Sequence, residues 1–426
     1  MVAEGEGHGA DLWRRLSQFD DATAGLDAPF AVVDVGAWRA NANDLVGRAA
    51  GTPIRVASKS VRSRPMLKYA LGRPGFRGVL AFTLSEALWL AGEEGDPISD
   101  DVVVAYPTAD RSALHRLLSQ HHLALRVTLM IDDIAQLDLL DDVRREELAG
   151  IGRLGPEVRV CIDLDASLRL LGGRVHLGVR RSPVHSVRQA QALARQVIAR
   201  PGVRLVGLLS YEAQVAGLQD DAATTPTGRA RQGVVRLVQA ASMADLRRRR
   251  TAAVAAVRRE ADLEFVNGGG TGSVDRTAAE RGVTEVAAGS GLYSPTLFDG
   301  YRAFRSRPAA FFALPVVRRP GPGLVTVLGG GWIASGPPGR DRLPVPVWPP
   351  ELRLLPAEGA GEVQTPLGGA AAEHLAIGDR VWFRHAKAGE LCEHVDALHL
   401  LDDVDDGRLT QVGMAATYRG EGKVFL

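Results

Sequence analysis

Apolar and polar positions along the chain fall into two regimes. Between about residue 54 and residue 291, short runs rich in β-branched residues recur: IRVASKS (54–60), GVLAFT (78–83), DVVVAYP (101–107), RVTLMI (126–131), VRVCIDLD (158–165), RLVGLLSY (204–211), LEFVNGGG (263–270) and EVAAGSG (285–291). Near-continuous apolar runs are the pattern of strands buried on both faces. Helical spacing fills most of the intervals, in SEALWLAGEEG with Ser85 as the predicted N-cap, in DDIAQLDLLDDVRREEL and in SVRQAQALARQVIA. Strand followed by helix, eight times over, predicts an α/β fold with a closed (β/α)8 TIM-type barrel. A doubly wound open sheet is the competing architecture, and the residues at the strand ends place it second.

After about Tyr301 the texture changes. Pro and Gly become frequent (RRPGPG, SGPPGRDRLPVPVWPP), and short alternating runs follow: FFALPVV, LVTVLG, RVWFRH, ALHLLDD and LTQVGMAATY. This predicts a second, smaller all-β domain over 301–426, joined by part of 1–27, beside a barrel over 28–300. FAVVDV (30–35) either joins the second domain or leads into the barrel. The run Arg247 to Arg250 reads as a solvated helix face, with an anion-docking site as the alternative.

Charge then narrows the partners. Lys+Arg number 51 and Asp+Glu 50, so no electrostatic reason points to nucleic acid or an anionic membrane. Two cysteines, Cys161 and Cys392, provide no disulfide framework and suggest a reducing, cytoplasmic setting. The N-terminal stretch lacks the apolar core of a signal peptide. No apolar run approaches the ~20 residues of a membrane span.

The chemistry sits at strand ends, where barrels carry it. Lys59 ends the first run, and a lysine there is expected to be desolvated, with its amine lowered in pKa and available as a nucleophile. The sequence Asn267-Gly268-Gly269-Gly270-Thr271-Gly272-Ser273 follows the seventh run, and Gly289-Ser290-Gly291 closes the eighth. Glycines leave backbone N–H groups free to approach an anion, and Thr271 and Ser273 add hydroxyl donors. Loops after strands seven and eight often bind phosphate in barrels. Tyr211, Glu212 and Gln214 after the sixth run, and Asp163, Asp165, Arg174 and His176 in and after the fifth, are candidates to line a ring and a substrate.

With these residues assembled, the chain resembles fold-type III pyridoxal-phosphate (PLP) enzymes, the alanine racemase-like barrels, and among them the D-threonine aldolase and D-serine dehydratase branch. The motifs are Lys59 in RVASKS, FTLSEALWLA, VVVAYPT, the segment around Asp163, HLGV from His176, SYEAQ from Tyr211, NGGGTGS, and TEVAAGSGLY ending in Tyr293. The resemblance implies that Lys59 holds PLP through a Schiff base and that Gly269, Gly270, Thr271, Gly289 and Ser290 form the phosphate cup. It places Tyr211 near the cofactor and implies a homodimer. Two departures stand out. Where the fold group carries an arginine that reaches the cofactor's phenolic oxygen, this chain reads His176-Leu177-Gly178, with Arg174 two residues earlier. Where the branch carries a His-x-Cys or His-x-Asp metal pair, it reads His385-Ala386-Lys387. His385 matches the first ligand of a divalent metal, Lys387 replaces the second, and Glu390, Cys392 and His394 are the nearby substitutes.

The leading function is retro-aldol cleavage of a β-hydroxy, D-threonine-like amino acid to glycine or a related amino acid plus an aldehyde, with His385, Tyr211 and Lys387 as catalytic candidates beside Lys59. Dehydration of D-serine or a relative ranks next. Racemisation follows, because Ala287-Ala288-Gly289-Ser290 offers no arginine to the pyridine nitrogen. A PLP-holding protein without turnover, or a phosphate-sugar barrel enzyme without PLP, ranks last.

Overall fold

The structure is a computed structural model and describes residues 3–151, 155–223, 225–404 and 408–426. Eight parallel strands close into a barrel: Ile54–Ala57, Phe76–Ala81, Val102–Val104, Val127–Ile131, Val158–Asp163, Val203–Ser210, Phe265–Gly268 and Glu285–Ala288. Each of the eight apolar runs overlaps one of them. The last strand pairs with the first, Val286 beside Ile54 and Ala288 beside Val56, so the sheet has no open edge. The open-sheet alternative is thereby excluded.

Most runs extend past the strand they predict, and they do so at the C-terminal end. Ser58, Lys59 and Ser60 leave the ladder for a 3-10 turn, and Tyr106, Tyr211 and Gly269 lie just beyond their strands. The residues read as strand ends are the first residues of the loops at the barrel mouth. At the opposite end, Arg55 is buried between Glu285 (2.7 Å) and Asp101 (2.8 Å), and Asn267 donates to Glu285 (2.8 Å). This ion network closes the barrel floor, away from the loops.

The helices follow the predicted pattern, with two corrections. Val187–Ile198 starts in a capping box formed by Ser186 and Gln189, and Ile134–Ile151 covers the DDIAQLDLL stretch. The cap of Leu84–Leu90 is Thr83, which accepts from the Glu86 N–H, not Ser85; Ser85 lies inside the first turn and donates to Asp110 at 2.9 Å. The arginine run is also corrected. In the helix Pro226–Arg258, Arg247 and Arg248 face outward, but Arg250 is fully buried and Arg249 donates inward to the carbonyls of Asp165, Ser167 and His185. Four consecutive residues spread over about 300° around the helix axis, so no single face can hold them all.

The second sheet has nine strands. Its centre is Ala310–Gly321, which pairs antiparallel with Phe30–Asp34, Leu324–Leu328 and Arg380–Arg384. Phe30–Asp34 also runs parallel to Ala397–Asp403, so this segment joins the second sheet. The helix Ala3–Ala22 lays Leu16 and Phe19 against Phe30, Phe311 and Trp382, covering one face of that sheet. The other face merges with the core that continues into the barrel.

Candidate active site

Lys59 stands on the turn Ser58–Ser60, directly after the first barrel strand. Its side chain is exposed, not desolvated as expected, because the turn lifts it out of the buried ladder. The Lys59 Nζ donates to the Tyr106 hydroxyl at 3.2 Å. Tyr106 follows the third strand, and the Arg181 guanidinium lies 5.6 Å from its ring centre. Burial alone would raise the Tyr106 hydroxyl, but Lys59 and Arg181 outweigh it and hold the phenol below its ordinary value.

Both glycine turns are tied to this lysine by side chains. Ser290 Oγ lies 2.9 Å from Ser60 Oγ, next to Lys59. Thr271 Oγ1 accepts from the Gly291 N–H at 3.1 Å, which leaves the hydroxyl proton free to donate. A Cβ on Gly289 would stand 2.6 Å from the Ala57 carbonyl, and one on Gly270 would stand 2.9 Å from the Tyr211 ring. Gly269, at φ +84°, turns the chain where an L side chain is disfavoured.

Glu212 holds the first turn from beneath. It is fully buried and accepts from the Gly269 N–H (3.3 Å), Ser273 Oγ (2.9 Å), Thr277 Oγ1 and Arg250 (2.9 Å). Ser273, expected to offer its hydroxyl to an anion, donates it to Glu212 instead. Tyr211 lies over the turn, its hydroxyl pushed up to about 12 by burial and by the neighbouring Glu212 charge.

The segment after the fifth strand divides sharply. Asp165 is structural: it accepts from Ser167 and Arg169 and lies 3.0 Å from His185 Nδ1. Gln214 likewise braces the Ala166 carbonyl at 2.7 Å. Burial, then the charges of Asp132 and Asp165, raise Asp163 to about 7, with Arg181 pulling it down. Arg174 is exposed on a small hairpin, with no side-chain partner among the described residues, and His176 Nε2 meets only the Val179 carbonyl at 3.2 Å. The arginine at the mouth is therefore Arg181, which the sequence reading did not single out. Tyr106 was also missed, although the strand-end rule that selected Lys59 applies equally to the third run.

A family model described as alanine racemase, N-terminal domain, matches residues 33–294. The chain belongs to this family. D-threonine aldolase from an Arthrobacter species is 26% identical to it over 316 residues, 72% of each chain. The structure of D-threonine aldolase from Filomicrobium marinum matches with a TM-score of 0.67 at 21% identity, over 94% of this chain and 96% of that one. D-threo-3-hydroxyaspartate dehydratase from a Delftia species matches with a TM-score of 0.66 at 21% identity, over 92% and 97%. The overall fold is thus shared with both solved structures over more than nine-tenths of this chain.

A phosphorylated aldehyde such as PLP fits the residues at this racemase-family mouth. An accessible amine, a glycine turn joined to it through Ser60 and Ser290, a second glycine turn joined to the first through Thr271 and Gly291, and hydroxyls on Thr271 and Ser290 are the donor set it needs. A divalent metal does not fit the residues around His385. The His385 ring is fully buried, neither ring nitrogen meets a well-formed hydrogen-bond partner among the described residues, and burial, then the neighbouring Arg384, push it down to about 3 against the pull of the Ala310 backbone. Lys387 is no ligand while protonated. The three nearby substitutes are engaged elsewhere: Cys392 donates to the Val61 carbonyl, His394 stacks on Trp332 at 4.9 Å, and Glu390 accepts from the Ser335 N–H at 3.0 Å. Among the described residues no group of three His, Cys, Asp or Glu side chains is placed to hold a metal.

Proposed function

We propose that the chain is a PLP-dependent lyase that cleaves a β-hydroxy-D-amino acid, D-threonine-like, into glycine or a related amino acid and an aldehyde. One observation carries the reading. Lys59 presents its amine at the mouth of a racemase-family barrel while Ser60 and Ser290 lock its turn to the glycine turn 289–291. The relatedness to a D-threonine aldolase supports the choice of reaction.

PLP, when bound, supplies an electron sink for the bond broken at Cα. Lys59 holds the cofactor covalently. Thr271, Ser290 and the amides of the two turns bind its phosphate, while the Gly269 N–H, already bonded to Glu212, serves the shape of the turn. Arg181 and Tyr106 orient the polar edge of the ring, the task that Arg174 and His176 were expected to perform. Tyr211 bears on the phosphate end through Gly270. His385 is too deeply enclosed to act as the base for a substrate hydroxyl.

The same reading takes 28–300 as the cofactor domain and 301–426, with part of 1–27, as its partner. It places the enzyme in the cytoplasm as a homodimer. No helix among the described residues is long and apolar enough to cross a membrane.

The purified protein is expected to show the visible absorption band of a lysine-bound PLP, and Lys59→Ala to lose it. Incubation with D-threonine or D-phenylserine is expected to release an aldehyde. Keto acid and ammonia without aldehyde would turn the assignment to elimination, and absence of the band in the wild type would end it.

A further inference from the structure

The loop 385–390 of the second domain reaches over to the Lys59 turn. Gly389, at φ +95°, packs so closely that a Cβ there would overlap the Lys59 carbonyl. This contact seats the loop that carries Lys387, half-buried, on the Lys59 turn. The Lys387 Nζ donates to Ser335 Oγ at 2.7 Å. It also donates to the Ser335 carbonyl at 3.4 Å, and an ammonium has three donors, so one remains. Glu390, the acid beside it, is held by the Ser335 N–H.

We propose that Lys387 is the cation of this active site: its ammonium binds the β-oxygen of the substrate, and the enzyme works without a divalent metal. The inference rests on the lyase reading above. It is carried by three observations independent of that reading: the seating of the 385–390 loop on Lys59, the anchored Lys387 ammonium, and the engagement elsewhere of Glu390, Cys392 and His394, which leaves His385 without a second ligand. A metal at this place would stand against the like charge of Lys387.

A fixed cation suits the reaction. In retro-aldol cleavage the β-hydroxyl loses its proton to water at the open mouth, the Cα–Cβ bond breaks with its electron pair remaining on the Cα side, and the β-carbon departs as an aldehyde. Protonation at Cα then completes glycine and closes the proton count. Lys387 keeps its own proton throughout and donates a hydrogen bond to the oxygen as charge develops on it.

The test uses the PLP-loaded protein and two readouts that need no turnover. The first is metal binding: after chelation and dialysis, calorimetric titration with Mn2+ or Zn2+ is expected to show no stoichiometric site. Uptake of one tightly held equivalent would overturn the proposal. The second is the shift of the visible band on titration with D-phenylserine and with D-phenylalanine, which lacks the β-oxygen. Wild type should prefer the hydroxylated ligand by roughly tenfold to hundredfold, the range for a hydrogen bond to a charged group. Lys387→Met should lose that preference while keeping the band, and Lys387→Arg should restore part of it. An unchanged preference in Lys387→Met refutes the assignment. Failure to release aldehyde would count against the lyase reading alone, because neither readout depends on it.

Discussion

Glu86 shows how one buried group links the site to stability. It lies beneath the Lys59 strand, accepts from the Phe82 N–H at 2.7 Å and from the Tyr418 hydroxyl at 2.8 Å, and is raised by burial to about 7. A carboxyl whose folded pKa lies above its unfolded value favours the folded state in its protonated form. Its contribution is therefore complete below about 4.5 and is lost as pH rises through about 7, a change of up to ~3 kcal/mol. Thermal unfolding followed from pH 5 to 8 should show a decline that is shallower in Glu86→Gln, which keeps one acceptor for Phe82 and cannot ionise. Parallel curves for the two proteins would remove Glu86 as the cause. No pattern around Glu86 distinguishes it from a surface glutamate, because its partner Tyr418 lies 332 residues away along the chain.

At the scale of elements, the barrel was legible because strands covered on both faces leave uninterrupted apolar runs, and eight such runs separated by helices have one compact closed solution. The glycine turns were legible for a local reason, since backbone that must approach an anion or a neighbouring strand excludes side chains. Gly289→Ala makes this testable. Its Cβ would press on the Ala57 carbonyl beside the Lys59 turn, at a cost of about 1–3 kcal/mol if the turns do not separate. A lower melting temperature together with cofactor lost on dialysis is the expected outcome; unchanged retention would mean that the turns are not coupled. The position of Arg181 was not legible, because the hairpin formed by Leu168–Leu170 and Val175–Leu177 intervenes before the chain returns to the mouth, and its folding decides which arginine points inward. Ser85 and Thr83 are both good caps by type, and only backbone geometry selects Thr83.

At the scale of the whole molecule, the N-terminal helix and the strand Phe30–Asp34 belong to a sheet whose remaining strands begin some 280 residues later, so the second domain is closed by the start of the chain. Phe19 is fully buried there, 5.4 Å from the Phe311 ring and 5.9 Å from Trp382. Phe19→Ala should destabilise the protein by roughly 3–5 kcal/mol, read as a drop in the denaturant midpoint. A change below ~1 kcal/mol would show that the helix is dispensable to the sheet.

The sequence by itself determined the periodicity, hence the barrel, its eight strands and the all-β texture of the second domain, because hydrophobic spacing and glycine placement act over a few residues. Only the tertiary structure decided which distant groups meet: the Lys387 loop seated on the Lys59 turn, Glu212 under the first glycine turn, Arg181 over Tyr106, His385 sealed from solvent. Those meetings depend on how loops from separate strands and domains converge at one mouth, and no local pattern encodes the distance between them.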